Sequence, residues 1–511
     1  MPMTNAAEYL ERTAARVPDK IAFSDASGSL TFGQLLTRAR ALGTVLAGLP
    51  GCKNAPVAVL TGRTVQSVAA LQGVLQSGNY YVPIDEQMPE ARMRRILAQV
   101  HARAIVFSES SRPQAERLTD CAPLVCLEEA EKTAPDDALL QARREQIIDL
   151  DPVYLLFTSG STGKPKGVQI TAKNLAAFHA GVRPFFDGMQ PGGAFLNEIS
   201  YSFDVSVCAL YEALGRGMTL WTADRTALEN PKLLFDILKR ANLTDWVSTP
   251  SLAELCVQSD QFCGALMPQL RQMLFCGEVL TKKLTQELMA RFPGIPIVNA
   301  YGPTETTVLV TGAQMTKRML QADAPLPIGY AFSNCEVRIC GAEGKALPEG
   351  EAGELCLLGE TVSPGYLGRP DLNARAFFED DGRRGYRTGD LCRMEDGLIY
   401  YLGRLDNQIK LNGFRVELED VENNLVKVSN IARAAVLAEM QDGKAVALTA
   451  YVMLEKPDGE GSLQRARRIK KELGELVPSY MVPRRIIAVD SFPLNTNGKI
   501  DKKQLRALRA T

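Results

Sequence analysis

Short apolar runs at 57–60, 104–107, 153–157, 219–222, 246–248, 272–275 and 297–300 recur between helix-like amphipathic segments up to about residue 330, and this alternation most constrains the fold. Runs this short fit strands covered on both faces, and strands separated by helices need parallel crossovers. The expected class is therefore α/β, in layered subdomains. Between about 325 and 403 the helical pattern fades and Gly-rich, strand-like pieces dominate (335–340, 353–358, 398–402), which predicts a β-rich subdomain. Beyond Arg404 the texture changes again: strand-like 408–411, helix-like 417–428, a strand pair near 433–453, a basic amphipathic helix near 463–476 and a basic tail. The expectation is a large N-terminal domain, 1–404, and a small mobile α+β domain, 405–511. A chain of 511 residues exceeds what one compact core holds.

Charge narrows the partners. Lys plus Arg (58) nearly cancel Asp plus Glu (59), so bulk electrostatics point to neither nucleic acid nor an anionic membrane. The N-terminal residues mix charges and lack an apolar signal core, and no uncharged run reaches membrane-spanning length, so a cytoplasmic protein with no membrane insertion is expected. Eleven cysteines include no CxxC pair, and Cys208, Cys256, Cys276 and Cys356 lie among apolar neighbours, which argues against disulfides and zinc. The two histidines, His101 and His179, sit in no polar cluster of the sequence. Chemistry must then run on Lys, Asp, Glu, hydroxyls and backbone.

The loop after the run 153–157 reads Thr158-Ser159-Gly160-Ser161-Thr162-Gly163-Lys164-Pro165-Lys166-Gly167. Glycines that admit positive φ, four hydroxyls and two ammoniums make a phosphate cradle. It is not a Walker A motif, because Thr158 and Pro165 stand where that motif needs a glycine and a Ser or Thr. A flexible Gly/Ser linker is the bland alternative.

Further clusters offer parts for a nucleotide. Asn299-Ala300-Tyr301-Gly302-Pro303-Thr304-Glu305-Thr306 supplies a ring to stack on a purine and a carboxylate for Mg²⁺. Tyr386-Arg387-Thr388-Gly389-Asp390 places a carboxylate after a tight turn, in reach of two ribose hydroxyls or simply capping the turn. Gly403-Arg404-Leu405-Asp406 looks like a hinge, and Asn497-Gly498-Lys499 presents a lysine on a turn that alone would read as a solvated surface group.

In this order and at these separations, the five segments resemble the adenylate-forming superfamily of acyl-CoA synthetases, luciferases and peptide-synthetase adenylation domains, over nearly the whole chain. The resemblance implies ATP and Mg²⁺ as cofactors, with Lys499, Glu305 and Thr158 catalytic and Glu305 holding the metal. It assigns ATP contacts to Thr158, Ser159, Gly160, Lys166, Asn299, Ala300, Tyr301, Gly302, Pro303, Thr304, Asp390, Tyr401, Leu402, Gly403, Arg404 and Lys499. Asp406 falls at the pivot of a small domain that rotates between half-reactions.

For the acid activated, Ser202-Phe203-Asp204-Val205-Ser206 puts a carboxylate in an apolar stretch, where it needs a cationic partner such as an amino-acid ammonium; a helix-capping aspartate is the alternative. The stretches 202–207, 219–221, 248–254, 275–280 and 301–308 look like those of D-alanine:D-alanyl carrier protein ligases, which supply D-alanine for teichoic acid modification. That resemblance implies substrate contacts from Asp204, Cys276, Val308 and Lys499, with Cys276 lining a methyl pocket. After Val207 the chain departs from the pattern of those ligases (Cys208-Ala209-Leu210-Tyr211-Glu212), so loading of L-alanine or another small amino acid stays open. A nucleotide-binding regulator conflicts with the presence of Glu305, Asp390 and Lys499, and coenzyme A ligation of a simple acid conflicts with Asp204. Only twelve residues follow Lys499, so the expected acceptor is a separate phosphopantetheinylated carrier protein, for which the basic segment from Arg465 to Lys471 offers a docking face.

Overall fold

The computed structural model describes residues 5–26, 28–159, 165–186, 192–493, 500 and 502–507. The chain splits into two compact units: Met1–Glu86, Leu97–Phe157 and Gly167–Leu405 form the first, and Gln87–Ile96, Thr158–Lys166 and Asp406–Thr511 the second. The second unit thus takes two segments that lie inside the 1–404 range expected for the first.

Three sheets organise the first unit among the described residues. A nine-stranded sheet runs Tyr330–Ala331, Thr311–Gln314, Ile297–Tyr301, Gln272–Phe275, Asp245–Ser248, Ala194–Asn197, Thr219–Thr222, Ile21–Asp25, Gly28–Thr31. Its strands from Ile297–Tyr301 to Ile21–Asp25 are all parallel, and antiparallel strands close both ends. A seven-stranded sheet is likewise parallel from Pro152–Thr158 through Tyr80–Asp85, Pro56–Thr61 and Ala104–Phe107 to Leu124–Cys126. The helix Val65–Gln76 touches strands of both sheets and buries every residue except Gln66, which is why its sequence carries no charge and spreads apolar residues round the helix rather than along one face. Thr64 caps it, its hydroxyl accepting from Ser67 N–H at 3.2 Å.

The region expected to be β-rich forms a five-stranded antiparallel sheet from Cys335–Cys340, Gly353–Gly359, Phe377–Asp380, Arg383–Glu395 and Leu398–Arg404. It is not self-contained: Tyr330–Ala331 joins the nine-stranded sheet and Gly365–Tyr366 the seven-stranded one. The tight turn expected before Asp390 is also absent. Tyr386 to Asp390 lies inside the 13-residue strand Arg383–Glu395, where the register slips between Glu354 and Cys356 and Gly389 takes φ +71°. The Gly signal was a bulge rather than a chain reversal.

In the second unit, Phe414–Glu417, Gln408–Leu411, Lys444–Leu454, Ile431–Gln441 and Arg485–Ala488 form one mixed sheet. The helices Leu418–Leu425 and Ser462–Gly474 cover it with Val421, Leu425, Ile469 and Leu473, all wholly buried. Arg92 and Asp420 form a buried ion pair at 3.4 Å. Among the described residues, no helix is long and apolar enough to cross a membrane.

Candidate functional site

The strand Ile297–Tyr301 delivers its carboxyl end to a compressed turn. A Cβ on Gly302 would sit 2.4 Å from the carbonyl oxygen of Val308, so only glycine fits. Thr307 and Val308 then take φ of +60° and +71°. A β-branched residue in that region is strained by about 1–3 kcal/mol, which the surroundings must offset. Part of the offset is the Thr307 hydroxyl, which donates to Thr361 O at 2.7 Å.

Glu305 is wholly buried in this turn; its Oε1 accepts from the Tyr366 hydroxyl at 2.7 Å and its backbone carbonyl from Ser363 N–H at 2.9 Å. Asp390, opposite Arg404 on the neighbouring strand, accepts from the Tyr301 hydroxyl and, at 2.8 Å, from the Arg404 guanidinium. Burial, with the Asp390 charge adding, pushes the Tyr301 phenol well above its usual range, so it stays a donor. An ionised carboxylate offers about four lone-pair sites, leaving room for two further hydroxyl donors. Asn299 is held by its amide, which donates to Pro327 O at 2.7 Å, and Ala300 is buried beside it. Pro303 and Thr304 are half-buried in the turn, while Tyr401, Leu402 and Gly403 lie on the strand Leu398–Arg404, Leu402 exposed.

A second group converges around Asp204. It stands directly before the helix Val205–Arg216, half-buried rather than sunk in apolar surroundings as its neighbours in sequence suggest, and its side chain does not cap the helix. The phenol of Tyr154, raised chiefly by burial, feels its charge. Cys276 follows the strand Gln272–Phe275, its N–H donating to Ser248 O at 3.2 Å. At the next residue a Cβ would lie 3.5 Å from Thr249 Cγ2 and 3.7 Å from Val205 Cγ2, so the Gly277 turn packs against the start of the Asp204 helix. Cys276 and Val308, both buried, share one apolar cluster with Val205, Val247 and Ala300.

In the second unit, the Thr158 hydroxyl is buried without a hydrogen-bond partner among the described residues. Ser159 Oγ donates to Arg415 O at 2.8 Å and accepts from Glu417 N–H at 3.1 Å, and Lys166 pairs with Glu417 at 3.2 Å. Gly160 and Lys499 lie outside the described residues.

Residues 10–367 match the family model "AMP-binding enzyme", and 420–499 match "AMP-binding enzyme C-terminal domain". The chain belongs to the AMP-binding enzyme family. D-alanine--D-alanyl carrier protein ligases of Listeria innocua and Lacticaseibacillus casei are each 39% identical to it, the first over 99% of both chains, the second over 98% of this chain and 99% of its own. The o-succinylbenzoate CoA synthetase of Bacillus subtilis superposes with a TM-score of 0.84 at 21% identity, covering 99% of this chain and 98% of its own. The Vibrio cholerae adenylation domain AlmE, in complex with glycyl-adenosine-5'-phosphate, reaches 0.82 at 23%, covering 100% and 99%. These two show the fold alone.

In this AMP-binding enzyme the sequence reading overlooked Tyr366, whose hydroxyl meets Glu305, because its partner lies 61 positions away. It also placed His179 outside any polar cluster. The structure corrects that: His179 Nδ1 bonds the buried Glu212, which Arg216 also holds. The partners sit on a different helix, so local sequence carries no sign of them.

Proposed function

We propose that this enzyme activates D-alanine with ATP and transfers it to the phosphopantetheine thiol of a separate carrier protein in the cytoplasm. The observation that carries the reading is the match, end to end, to relatives named D-alanine--D-alanyl carrier protein ligase. The geometry supports it: a half-buried carboxylate, Asp204, stands beside a small apolar wall of Cys276, Val205 and Val308, suited to an ammonium and a methyl group.

In the first half-reaction the substrate carboxylate attacks the α-phosphorus of ATP, pyrophosphate leaves, and the acyl-adenylate forms. Asp390 takes the ribose hydroxyls, Tyr301 stacks on the base, and Thr158 with its loop donates to the phosphates. The orphaned Thr158 hydroxyl fits such a donor. Mg²⁺ is held by one or two carboxylates plus substrate phosphates, and the buried Glu305, one oxygen bonded by Tyr366, fits that donor set. When bound, the ion would neutralise phosphate charge. Lys499 is assigned to the charge growing on the transferred group. In the second half-reaction the carrier thiol, losing its proton, attacks the acyl carbonyl and AMP leaves. Asp406 is assigned as the pivot between the domains 1–404 and 405–511.

Amino-acid-dependent ATP–pyrophosphate exchange with D-alanine, L-alanine, glycine and D-serine tests the reading. D-alanine should give the highest kcat/KM. A preference for L-alanine would replace the substrate assignment, and no exchange with any of the four would remove Asp204 as the amine anchor.

A further inference from the structure

Among the described residues, both carboxyl oxygens of Glu198 and Nε of Arg63 are buried without hydrogen-bond partners, Glu198 at the carboxyl end of a central strand of the nine-stranded sheet, next to a group in which Tyr201 interacts with Thr222 and Asn197. Buried polar groups are normally paired, so a buried carboxyl with neither oxygen bonded needs a reason. Asn197 and Thr222 stand opposite each other at the carboxyl ends of adjacent parallel strands, and Asp25 ends the next strand in the row. From Ala194–Asn197 the chain proceeds to Thr219–Thr222 on one side and Asp245–Ser248 on the other. Parallel sheets place ligand sites outside the carboxyl ends of the strands at such a reversal.

Glu198 is the first residue past that central strand. The Thr249 backbone lies beside its carboxyl, and the charge of Arg63, which follows the strand Pro56–Thr61, acts on it. Thr249 in turn presents its Cγ2 to Gly277, next to Cys276 and Val205. A continuous path therefore runs from Glu198 through Thr249 to the proposed amino-acid pocket.

We propose that Glu198 is a positioning residue for the amino-acid site, acting through Thr249, whose backbone lies beside its carboxyl and whose side chain backs the Gly277 turn beside Cys276. The inference rests on the reading that Asp204 and Cys276 bind an amino acid. Burial pushes the Glu198 carboxyl up to about 7, with Arg63 and nearby backbone N–H groups pulling the other way. Cys256, the other titratable group facing it, has its thiol pushed up to about 12, chiefly by burial, and stays neutral. Tyr201, beside Arg63 and Asp25, is raised by burial and also stays neutral. Glu198 thus changes charge near neutrality. Its ionised form attracts the Thr249 N–H more strongly than its neutral form, so the pocket wall firms as pH rises.

The test is the KM of the best-exchanging amino acid in pyrophosphate exchange, measured from about pH 6 to about pH 8.5, where a carboxyl so placed titrates. In the wild-type enzyme KM should fall several-fold through neutrality while kcat changes less. Glu198→Gln should flatten the profile near its low-pH value, and Glu198→Asp should restore a slope. Arg63→Met should move the midpoint to higher pH, because it removes the charge that favours ionisation, and this variant decides the matter if Glu198→Gln fails to fold. A wild-type KM that does not vary, a Glu198→Gln enzyme that keeps the wild-type profile, or an unmoved midpoint in Arg63→Met overturns the inference alone. Absence of exchange with every amino acid overturns it together with the proposed function.

Discussion

At the scale of single residues the proposed site divides charges between anchoring and chemistry. Replacing Asp204 with Ala should raise the amino-acid KM about tenfold to hundredfold, the equivalent of a charge-assisted hydrogen bond of about 1.5–3 kcal/mol, and leave the KM for ATP nearly unchanged. Lys499→Ala should lower the adenylation rate by about a hundredfold to a thousandfold while ATP affinity stays within a few fold; a fully active variant would remove Lys499 from the mechanism. Gly302→Ala must push a Cβ into the Val308 carbonyl, so both exchange activity and the melting temperature should fall. The position of Glu305 in a turn after a strand was legible in the sequence, since Gly302-Pro303 signals that turn, whereas the turn read before Asp390 is a bulge within a strand. Arg404 holding Asp390 and Tyr366 holding Glu305 could not be read the same way, because each contact joins segments that only the folded chain brings together.

At the scale of elements, buried runs such as Ala104–Phe107, Thr219–Thr222, Gln272–Phe275 and Cys335–Cys340 have the bounds their apolar patterns predict. The strand Tyr80–Asp85 is not among the runs predicted from the sequence, and it carries a proline, Pro83, that pairs with Val59 in the middle of the seven-stranded sheet, where proline is rare. Helix–helix electrostatics were also illegible. Glu212, on Val205–Arg216, is buried, which alone would raise its pKa, yet His179 and Arg216 outweigh burial and hold it below the ordinary carboxylate range. A depressed folded-state pKa contributes stability that is present above the unfolded value, about 4.3, and is lost as pH falls through the folded one. Glu212→Gln should therefore lower the melting temperature at neutral pH and narrow the gap to wild type on acidification below about pH 4, as thermal unfolding at both pH values would show.

At the scale of the whole molecule, the proposed carrier docking face is smaller than the basic composition of 465–471 suggests. Arg465 pairs with Asp458, and Arg468 with Glu460 and Glu472, so these guanidiniums tie the helix to the segment before it and to its own last turns. Arg467 and Lys471 remain exposed. Charge reversal at these two should raise the KM for an acidic carrier in the loading assay without altering pyrophosphate exchange; an unchanged carrier KM would remove the docking face. The discontinuity of the second unit bears on how such enzymes can be recombined. Arg92, Ser159 and Lys166 come from two early segments, yet their partners Asp420, Arg415 and Glu417 all follow Leu405. Removing one member of a buried ion pair costs about 3–5 kcal/mol, so a chimera joined to a relative at Leu405 inherits mismatched halves of a single unit. Exchangeable cassettes would have to carry Gln87–Ile96 and Thr158–Lys166 along with the C-terminal graft.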